Sequence, residues 1–410
     1  MNVAATGGHQ VVGPYRGLFE GPGVKGFVLA GFVGRMPMSM LGIGIVLLIS
    51  ALSGSYATAG AVAATTNISF AIAAPLTGRL VDRFGQHRII APFASLNALA
   101  LAALMLSAGL GLPQWTLYAS ALLVGVTTLS LGSMVRARWS TLHGGSSRLH
   151  TAFAFESVVD EVIFVTGPAL VTVLATEINP YAGLTVALVC MLGGSLALAA
   201  QRRTQPPVQP SRGSGGTPIL IPGIALLACV YLGLGTVFGS VDLITVAFAE
   251  EHGVKGAAGF LLAAFAGGSM VSGLWFGSRH WRISLRGRFL RALVVFVAGL
   301  TPIMFIGDAF VMAGALFLAG LAISPTLITG FSLTERLVPP SLLTEGMAWI
   351  STSIGFGVAL GAWAGGRLTE TVGASGAYVL PLAAAALAAV VGAGGSGLLR
   401  LPEAASPVES

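Results

Sequence analysis

The 410-residue chain contains 55% hydrophobic residues and only 9% charged residues. A soluble globular protein carries roughly 25% charged residues, so this composition excludes a soluble enzyme and predicts a protein embedded in a membrane. The net charge of +6 does not indicate a nucleic-acid partner, because the basic residues lie in short segments between long apolar runs.

Twelve apolar segments follow one another, and each is long enough to cross roughly 30 Å of hydrocarbon as a helix. The predicted spans are 27–52, 57–77, 89–110, 115–136, 152–175, 181–200, 219–248, 256–278, 289–307, 309–331, 342–366 and 375–398. Glycine and proline mark the breaks between them, as at Gly373. The predicted fold class is an all-α integral membrane protein.

One connection differs from the others, because residues 201–218 are polar and rich in Pro, Gly, Ser and Arg. We interpret it as a flexible cytoplasmic linker between two six-helix halves. The predicted organisation is a cytoplasmic tail at 1–26, an N-terminal bundle at 27–200, the linker at 201–218, a C-terminal bundle at 219–398 and a cytoplasmic tail at 399–410.

The loop charges predict the orientation of the chain. If the N-terminus is cytoplasmic, 18 of the 21 basic residues fall on the cytoplasmic side, against Lys255 and Arg367 outside and Arg35 within the first span. This positive-inside bias predicts that both termini are cytoplasmic. The excess of Arg over Lys, with abundant Ala and Gly, indicates a bacterial source and therefore the bacterial inner membrane.

The loop after the second span sets an aspartate inside an arginine-rich turn between glycines. It resembles the signature loop of the major facilitator superfamily, G-x-x-x-D-R-x-G-x-x-R, whose pattern is matched by Gly78, Asp82, Arg83, Gly85 and Arg88. The resemblance implies two pseudo-symmetric six-helix bundles and a bacterial transporter of the drug or small-molecule efflux type. It also implies that this loop is a cytoplasmic gate that latches the two halves together in the outward-facing state.

The fifth span contains three acids, Glu156, Asp160 and Glu161. A charged residue at the centre of a membrane helix costs about 2.5–3.5 kcal/mol, so such acids normally face a wet cavity or a basic partner. The possible partners are Arg35 in the first span, and Arg136 and Arg138 at the end of the fourth. These acids therefore predict a proton or substrate cavity, although Glu156 taken alone equally fits an interfacial residue paired with Arg138.

Later in the same span, Gly167 and Pro168 predict a kink, because proline removes one backbone hydrogen bond. In the superfamily, a glycine-proline pair in span five belongs to the motif associated with antiporters. This pair therefore favours export.

In the second half, Asp242 lies in span seven and Glu345 near the start of span eleven. We assign both to the cavity, Glu345 as the counterpart of Glu156 under the repeat, or alternatively as an interfacial anchor. The sequence contains neither an ATP-binding motif nor metal-ligand spacing, so we expect no metal and no cofactor beyond the proton gradient.

These patterns predict a monomeric secondary transporter that exports a small amphipathic molecule in exchange for protons, by alternating access. The expected partners are the small-molecule substrate and the lipid bilayer, with no nucleic acid. One alternative is proton-coupled uptake of a small nutrient. A second is a non-transporting receptor or scaffold, which gives no reason for buried acids.

Overall fold

We describe the chain from a computed structural model that covers residues 15–53, 55–208, 217–254, 257–279 and 281–400. Within these residues every regular element is helical. The distal parts of both predicted tails, the centre of the predicted linker at 209–216 and the predicted exterior residue Lys255 lie outside the described residues.

In this described part of the chain, twelve membrane helices follow one another and are numbered here in chain order. Their bounds are Val24–Arg35 with Pro37–Ser53 (helix 1), Tyr56–Phe84 (helix 2), Gln86–Gly109 (helix 3), Gln114–Thr127 with Leu131–His143 (helix 4), Ser147–Glu177 (helix 5), Ala182–Ala200 (helix 6), Pro222–Glu251 (helix 7), Ala258–Ser278 (helix 8), Leu285–Leu300 (helix 9), Ala309–Gly320 with Ile323–Leu337 (helix 10), Leu343–Ala377 (helix 11) and Val379–Gly394 (helix 12).

Eleven of these helical stretches are long and apolar enough to cross a membrane by length and composition, and helix 12 is a shorter apolar helix. The boundary between helices 11 and 12 explains the short last helix. Gly373 has φ +75° inside the stretch assigned to helix 11, so the chain changes direction there and not at Tyr378. The predicted break at this glycine therefore lies where the backbone leaves helical geometry.

Two of the breaks inside helices position polar groups. Proline at position 37 has no N–H to donate, and helix 1 is divided directly after Arg35 and Met36. Helix 4 is divided after Thr127, where the buried Asn97 of helix 3 donates its Nδ2 group to the Val124 carbonyl at 2.7 Å and to the Thr128 hydroxyl at 2.9 Å. The amide of Asn97 thus satisfies polar groups that the interrupted helix leaves in an apolar environment.

Helices 7 and 11 are in backbone contact through glycines. A Cβ atom added to Gly361 would collide with the Thr236 carbonyl oxygen, and one added to Gly239 would collide with the Val358 carbonyl oxygen. Small residues at such interfaces let two helix backbones approach closely in lipid, where dispersion contacts drive helix association. The glycine run of helix 11 therefore forms a packing surface within the C-terminal half.

The described chain crosses the bundle with an even number of membrane helices, so its two ends, at residues 15 and 400, lie at the same end of the bundle. We name this end the terminal face and the other end the opposite face. The first residues of the predicted linker are docked at the terminal face, where the Gln205 side chain accepts a hydrogen bond from the backbone N–H of His87 at 3.3 Å. The Tyr15 hydroxyl also donates to the Leu274 carbonyl of helix 8 at 2.9 Å. Burial raises the pKa of Tyr15, so it stays a neutral donor, and the segment before helix 1 joins the two halves.

Candidate functional site

A buried ion network lies inside the N-terminal half, where helices 1, 4 and 5 meet. Its centre is Arg35, the last residue before the break in helix 1, whose side chain is 1% exposed. One guanidinium nitrogen lies 2.6 Å from a Glu156 carboxylate oxygen, and a second donates to Asp160 at 2.9 Å. Its Nε donates to the Gly31 carbonyl at 3.0 Å, which orients the guanidinium plane.

Asp160 binds a second arginine, because its other carboxylate oxygen accepts from the guanidinium of Arg136 in helix 4. The Asp160 side chain keeps 23% of its surface exposed, whereas those of Arg35 and Arg136 are almost wholly buried. Asp160 is thus held between two positive charges with one side open to water. This double pairing compensates the cost of placing a carboxylate inside a membrane protein.

Glu156 is fully buried, and its second carboxylate oxygen accepts a hydrogen bond from Trp139 Nε1 at 2.7 Å. The indole ring also stacks on the ring of His143 and lies edge-on to Phe27. Glu156 is therefore a member of the ion network, and its basic partner is Arg35 and not Arg138.

The structure corrects the expectation that Arg138 pairs with an acid of helix 5. Arg138 and Arg136 are two residues apart, or about 200° around a helix, so they point in nearly opposite directions. Arg138 instead donates to the Gln86 side chain at 2.7 Å and to the Leu198 carbonyl at 2.8 Å. It fastens helix 4 to helices 3 and 6 and takes no part in the acidic cluster.

A second cluster of polar side chains lies between the two halves. Glu161 lies beside the hydroxyl of Ser269 in helix 8, and within electrostatic range of Asp160 and of Asp242 in helix 7. Within the described residues, neither Glu161 nor Asp242 has an ion-pair partner. Glu161 is the fifteenth residue of the 31-residue helix 5, so it lies near the middle of a membrane helix, and Asp242 lies within helix 7. The two acids come from different halves.

Arg136 also contacts the other half, since its guanidinium lies 4.2 Å from the centroid of the Phe331 ring in helix 10. A cation over an aromatic face contributes about 0.5–2 kcal/mol, the larger value when water is excluded. Arg136 therefore joins the ion network to helix 10 of the other half.

At the terminal face, the predicted gate joins helix 2 to the start of helix 11. The two carboxylate oxygens of Asp82 accept hydrogen bonds from the backbone N–H groups of Thr344 and Glu345, at 3.2 and 3.0 Å. Gly78 permits this approach, because a Cβ atom there would lie 2.9 Å from the Glu345 Cα. The first turn of a helix leaves its N–H groups unpaired and carries partial positive charge, so a carboxylate stabilises it.

Glu345 belongs to this latch, which corrects its predicted place in the central cavity. Its carboxylate accepts from Arg79 Nε at 3.1 Å. It is the third residue of helix 11, whereas Glu156 is the tenth of helix 5, so the two acids lie at different depths in their helices. The repeat relation therefore does not make them equivalent.

The remaining members of the loop motif have separate positions. Gly85 adopts φ +89° in the turn between helices 2 and 3, a backbone conformation that favours glycine. Arg83 and Arg88 are exposed, and Arg83 lies over the Phe84 ring at 5.2 Å. Gly78, Asp82 and Gly85 thus form the contacts and the turn, while both arginines face solvent.

Gly167 and Pro168 lie within helix 5, which continues through them from Ser147 to Glu177. A Cβ atom on Gly167 would collide with the Ser39 hydroxyl of helix 1. The Ser39 hydroxyl donates to the Ile163 carbonyl at 2.9 Å. The glycine-proline pair thus places helix 5 close against helix 1, next to the break at Pro37.

Three residues that contact the acids or their arginine partners were not indicated by the sequence patterns above. They are Trp139, Ser269 and Phe331. Trp139 lies three residues after Arg136 and therefore near the same face of helix 4, a spacing that carries some signal. Ser269 and Phe331 come from the other half, and periodicity within one helix does not indicate contacts of that kind. No group of three or more His, Cys, Asp or Glu residues with metal-binding geometry occurs among the described residues.

An all-helical bundle of twelve membrane helices, with ion pairs buried among them and acids between two halves, defines a multi-pass membrane protein of the transporter class. Residues 27–309 match the sequence model of the Major Facilitator Superfamily. The chain belongs to this superfamily and is a membrane transporter, not an enzyme. The predicted family and fold class are both confirmed.

Individual relatives agree with the family at the level of fold. The chain is 31% identical over 144 residues to YfkF of Bacillus subtilis (strain 168), an uncharacterized MFS-type transporter, and the match spans 33% of this chain and 36% of YfkF. A bacterial homologue of the iron transporter ferroportin in an outward-facing state superposes with TM-score 0.74 at 16% identity, over 91% of this chain and 99% of that one. The human organic anion transporter MFSD10 (TETRAN) superposes with TM-score 0.70 at 16% identity, over 91% of this chain and 100% of that one.

Proposed function

We propose that this transporter exports a small amphipathic molecule in exchange for protons, with its terminal face in the cytoplasm of a bacterial cell. The observation that carries the proposal is that two acids without an ion-pair partner among the described residues, Glu161 and Asp242, come from different halves and lie within electrostatic range of each other. A carboxylate without a basic partner near mid-membrane becomes much less costly when it takes up a proton. Such a pair is suited to carry protons.

The ion network beside it has a different role. Asp160 forms ion pairs with Arg35 and Arg136 together, and all three residues belong to the same half. We assign Asp160, Glu156 and the two arginines to a fixed scaffold. Proton uptake and release are assigned to Glu161 and Asp242, which in their ionised form also attract a positively charged group of the cargo.

Alternating access is supported by the packing of the terminal face. The Asp82 latch closes this end between helices 2 and 11, and the Thr151 hydroxyl closes it between helices 5 and 8 by donating to the Gly277 carbonyl at 2.8 Å. Asp242 is exposed and Asp160 is partly exposed. Because the terminal end is packed, we assign the route of water to these acids to the opposite face, as in an outward-facing state. No cofactor enters this scheme, the protein acts as a monomer, and the proton gradient supplies the energy.

The proposal is tested in everted bacterial membrane vesicles, where respiration acidifies the lumen and a pH-sensitive dye reports the gradient. Amphipathic cationic and neutral compounds are added to the medium, because the cytoplasmic side of the membrane faces outward in these vesicles. Export by antiport releases luminal protons, so we expect a compound-dependent recovery of dye fluorescence with the wild-type protein. Glu161→Gln and Asp242→Asn are expected to remove this recovery.

The matched control is Glu177→Gln, because Glu177 is an exposed residue at the other end of helix 5. Recovery that persists in both acid variants contradicts the proton-carrying role. Uptake of a nutrient with protons predicts the reverse dependence, in which an inward proton gradient drives accumulation in right-side-out vesicles. Accessibility of a cysteine at Arg88 to a membrane-impermeant reagent in intact cells tests the orientation, and labelling there contradicts a cytoplasmic terminal face.

A further inference from the structure

We propose that an anion carrying a phosphate group binds in a cavity at the terminal face, between the two halves and apart from the central acids. The cavity has a volume of about 230 Å³. One wall is the segment before and at the start of helix 5, including Thr151, and the other runs from Gly277 to Arg288 and along the end of helix 10. A ligand in it touches both halves.

The charge of the lining selects an anion. Three arginines line the cavity, Arg279, Arg288 and Arg336, against one acid, Glu335. Among the described residues, none of these arginines forms an ion pair, either with Glu335 or with another acid. Arg288 and Arg336 lie within electrostatic range of each other, and Glu335 lies within range of Arg336, so a single acid faces three positive charges.

The guanidinium of Arg288 supplies an independent observation that points to a ligand. Its Nε atom is buried and has no hydrogen-bond partner. A buried charged donor without a partner is costly, and an anion in the cavity that Arg288 lines compensates the charge of this guanidinium group. Arginine presents its N–H groups in a planar fork that matches the oxygens of a phosphate group in a bidentate manner.

Two helix starts add partial positive charge. Gly145 and Ser146 precede helix 5, and Leu285 is the first residue of helix 9; all three line the cavity. Unpaired backbone N–H groups at helix starts favour anions. The hydroxyl groups nearby are already engaged, for example that of Thr151 with the Gly277 carbonyl, so the guanidinium groups are the main donors for a ligand.

Binding at this place has a conformational consequence. Because the walls come from different halves, the cavity is complete only when the terminal face is closed, and a ligand shifts an equilibrium by its difference in affinity between two states. The anion is therefore expected to favour the closed terminal face. Its source is either free phosphate in solution or the headgroup of an anionic phospholipid, since the cavity lies at the terminal face.

The experiment uses the full chain in nanodiscs of phosphatidylcholine, with and without added phosphatidylglycerol, and in each case with and without inorganic phosphate. The thermal unfolding midpoint and the ligand concentration that half-saturates its shift are measured. Two variants, Arg288→Gln and Arg336→Gln, are compared with Arg282→Gln, an exposed arginine of the same loop that does not line the cavity.

We expect one of the two probes to raise the unfolding midpoint of the wild type and of Arg282→Gln. For both cavity variants, we expect the half-saturating concentration of that probe to be at least about tenfold higher. A response to inorganic phosphate identifies a soluble anion, and a response only to phosphatidylglycerol identifies a lipid headgroup. If Arg288→Gln does not fold, Arg336→Gln alone decides the comparison. A wild type that responds to neither probe, or a response equal in all variants, overturns the proposal.

Discussion

The contact of Asp82 with the start of helix 11 allows the strength of the terminal latch to be worked out. Asp82→Ala removes two hydrogen bonds from a carboxylate to backbone N–H groups, at 3.2 and 3.0 Å. A hydrogen bond to a charged group contributes about 1.5–3 kcal/mol, and a charge at a helix end contributes about 0.3–1 kcal/mol. Water replaces part of both interactions when the latch opens, so we expect a net loss of about 2–3 kcal/mol from the closed state, or a shift of roughly 30- to 150-fold in its equilibrium with the open state.

The Arg79–Glu345 ion pair does not compensate for this loss. The Arg79 side chain is 43% exposed, and exposed ion pairs contribute about 0–1 kcal/mol. Asp82→Asn keeps an oxygen acceptor of similar size but loses the charge. We expect this variant to lie between wild type and Asp82→Ala.

The measurement is the distance between spin labels on cysteines placed at the exposed positions Arg88 and Arg282, one in each half, in a background without the native Cys190 and Cys229. Asp82→Ala is expected to add a longer-distance population to the distribution. Arg83→Gln, an exposed neighbour without a contact between the halves, serves as the control. An unchanged distribution in Asp82→Ala, or an equal change in the control, refutes the latch.

Two further predictions concern stability in detergent, measured by thermal unfolding. Glu156→Gln leaves a buried guanidinium with one fewer counter-charge, so we expect a loss of about 3–5 kcal/mol, whereas Glu177→Gln at an exposed site is expected to change stability little. Gly361→Val forces a side chain against the Thr236 carbonyl and is expected to cost about 1–3 kcal/mol or more, while Gly355→Val in the same helix meets nothing within 4 Å. Equal midpoints within either pair of variants contradict the packing described above.

The sequence predicts the latch well, because its chemistry is local. Gly78, Asp82 and Gly85 lie within eight residues, and each needs a particular residue type for close approach, charge or backbone conformation. The same holds for Gly373, whose positive φ interrupts helix 11 where the sequence indicates a break. In these cases the type of residue and its position in the chain are sufficient.

The partners of the buried acids are harder to predict, because they depend on the rotation of helix 4 about its axis. The sequence shows that Arg136 and Arg138 point in nearly opposite directions, and it does not show which of them faces helix 5. The interruption after Thr127 adds to the difficulty, because it changes the rotation of the second half of the helix relative to the first. Packing against helices 3 and 6 then assigns Arg138 to Gln86 and leaves Arg136 for Asp160.

The two adjacent acids of helix 5 show how one turn of helix separates two roles. Successive residues are about 100° apart, so Asp160 points towards helices 1 and 4 within its own half, and Glu161 points towards helix 8 of the other half. Rocking of one half against the other leaves the surroundings of Asp160 largely unchanged, because its charged partners move with it. The surroundings of Glu161 change with every such motion, since Ser269 and Asp242 belong to the other half. A group whose environment differs between two states is one whose protonation biases them, so under the proposed proton antiport we assign the coupling to Glu161 and not to the more strongly paired Asp160.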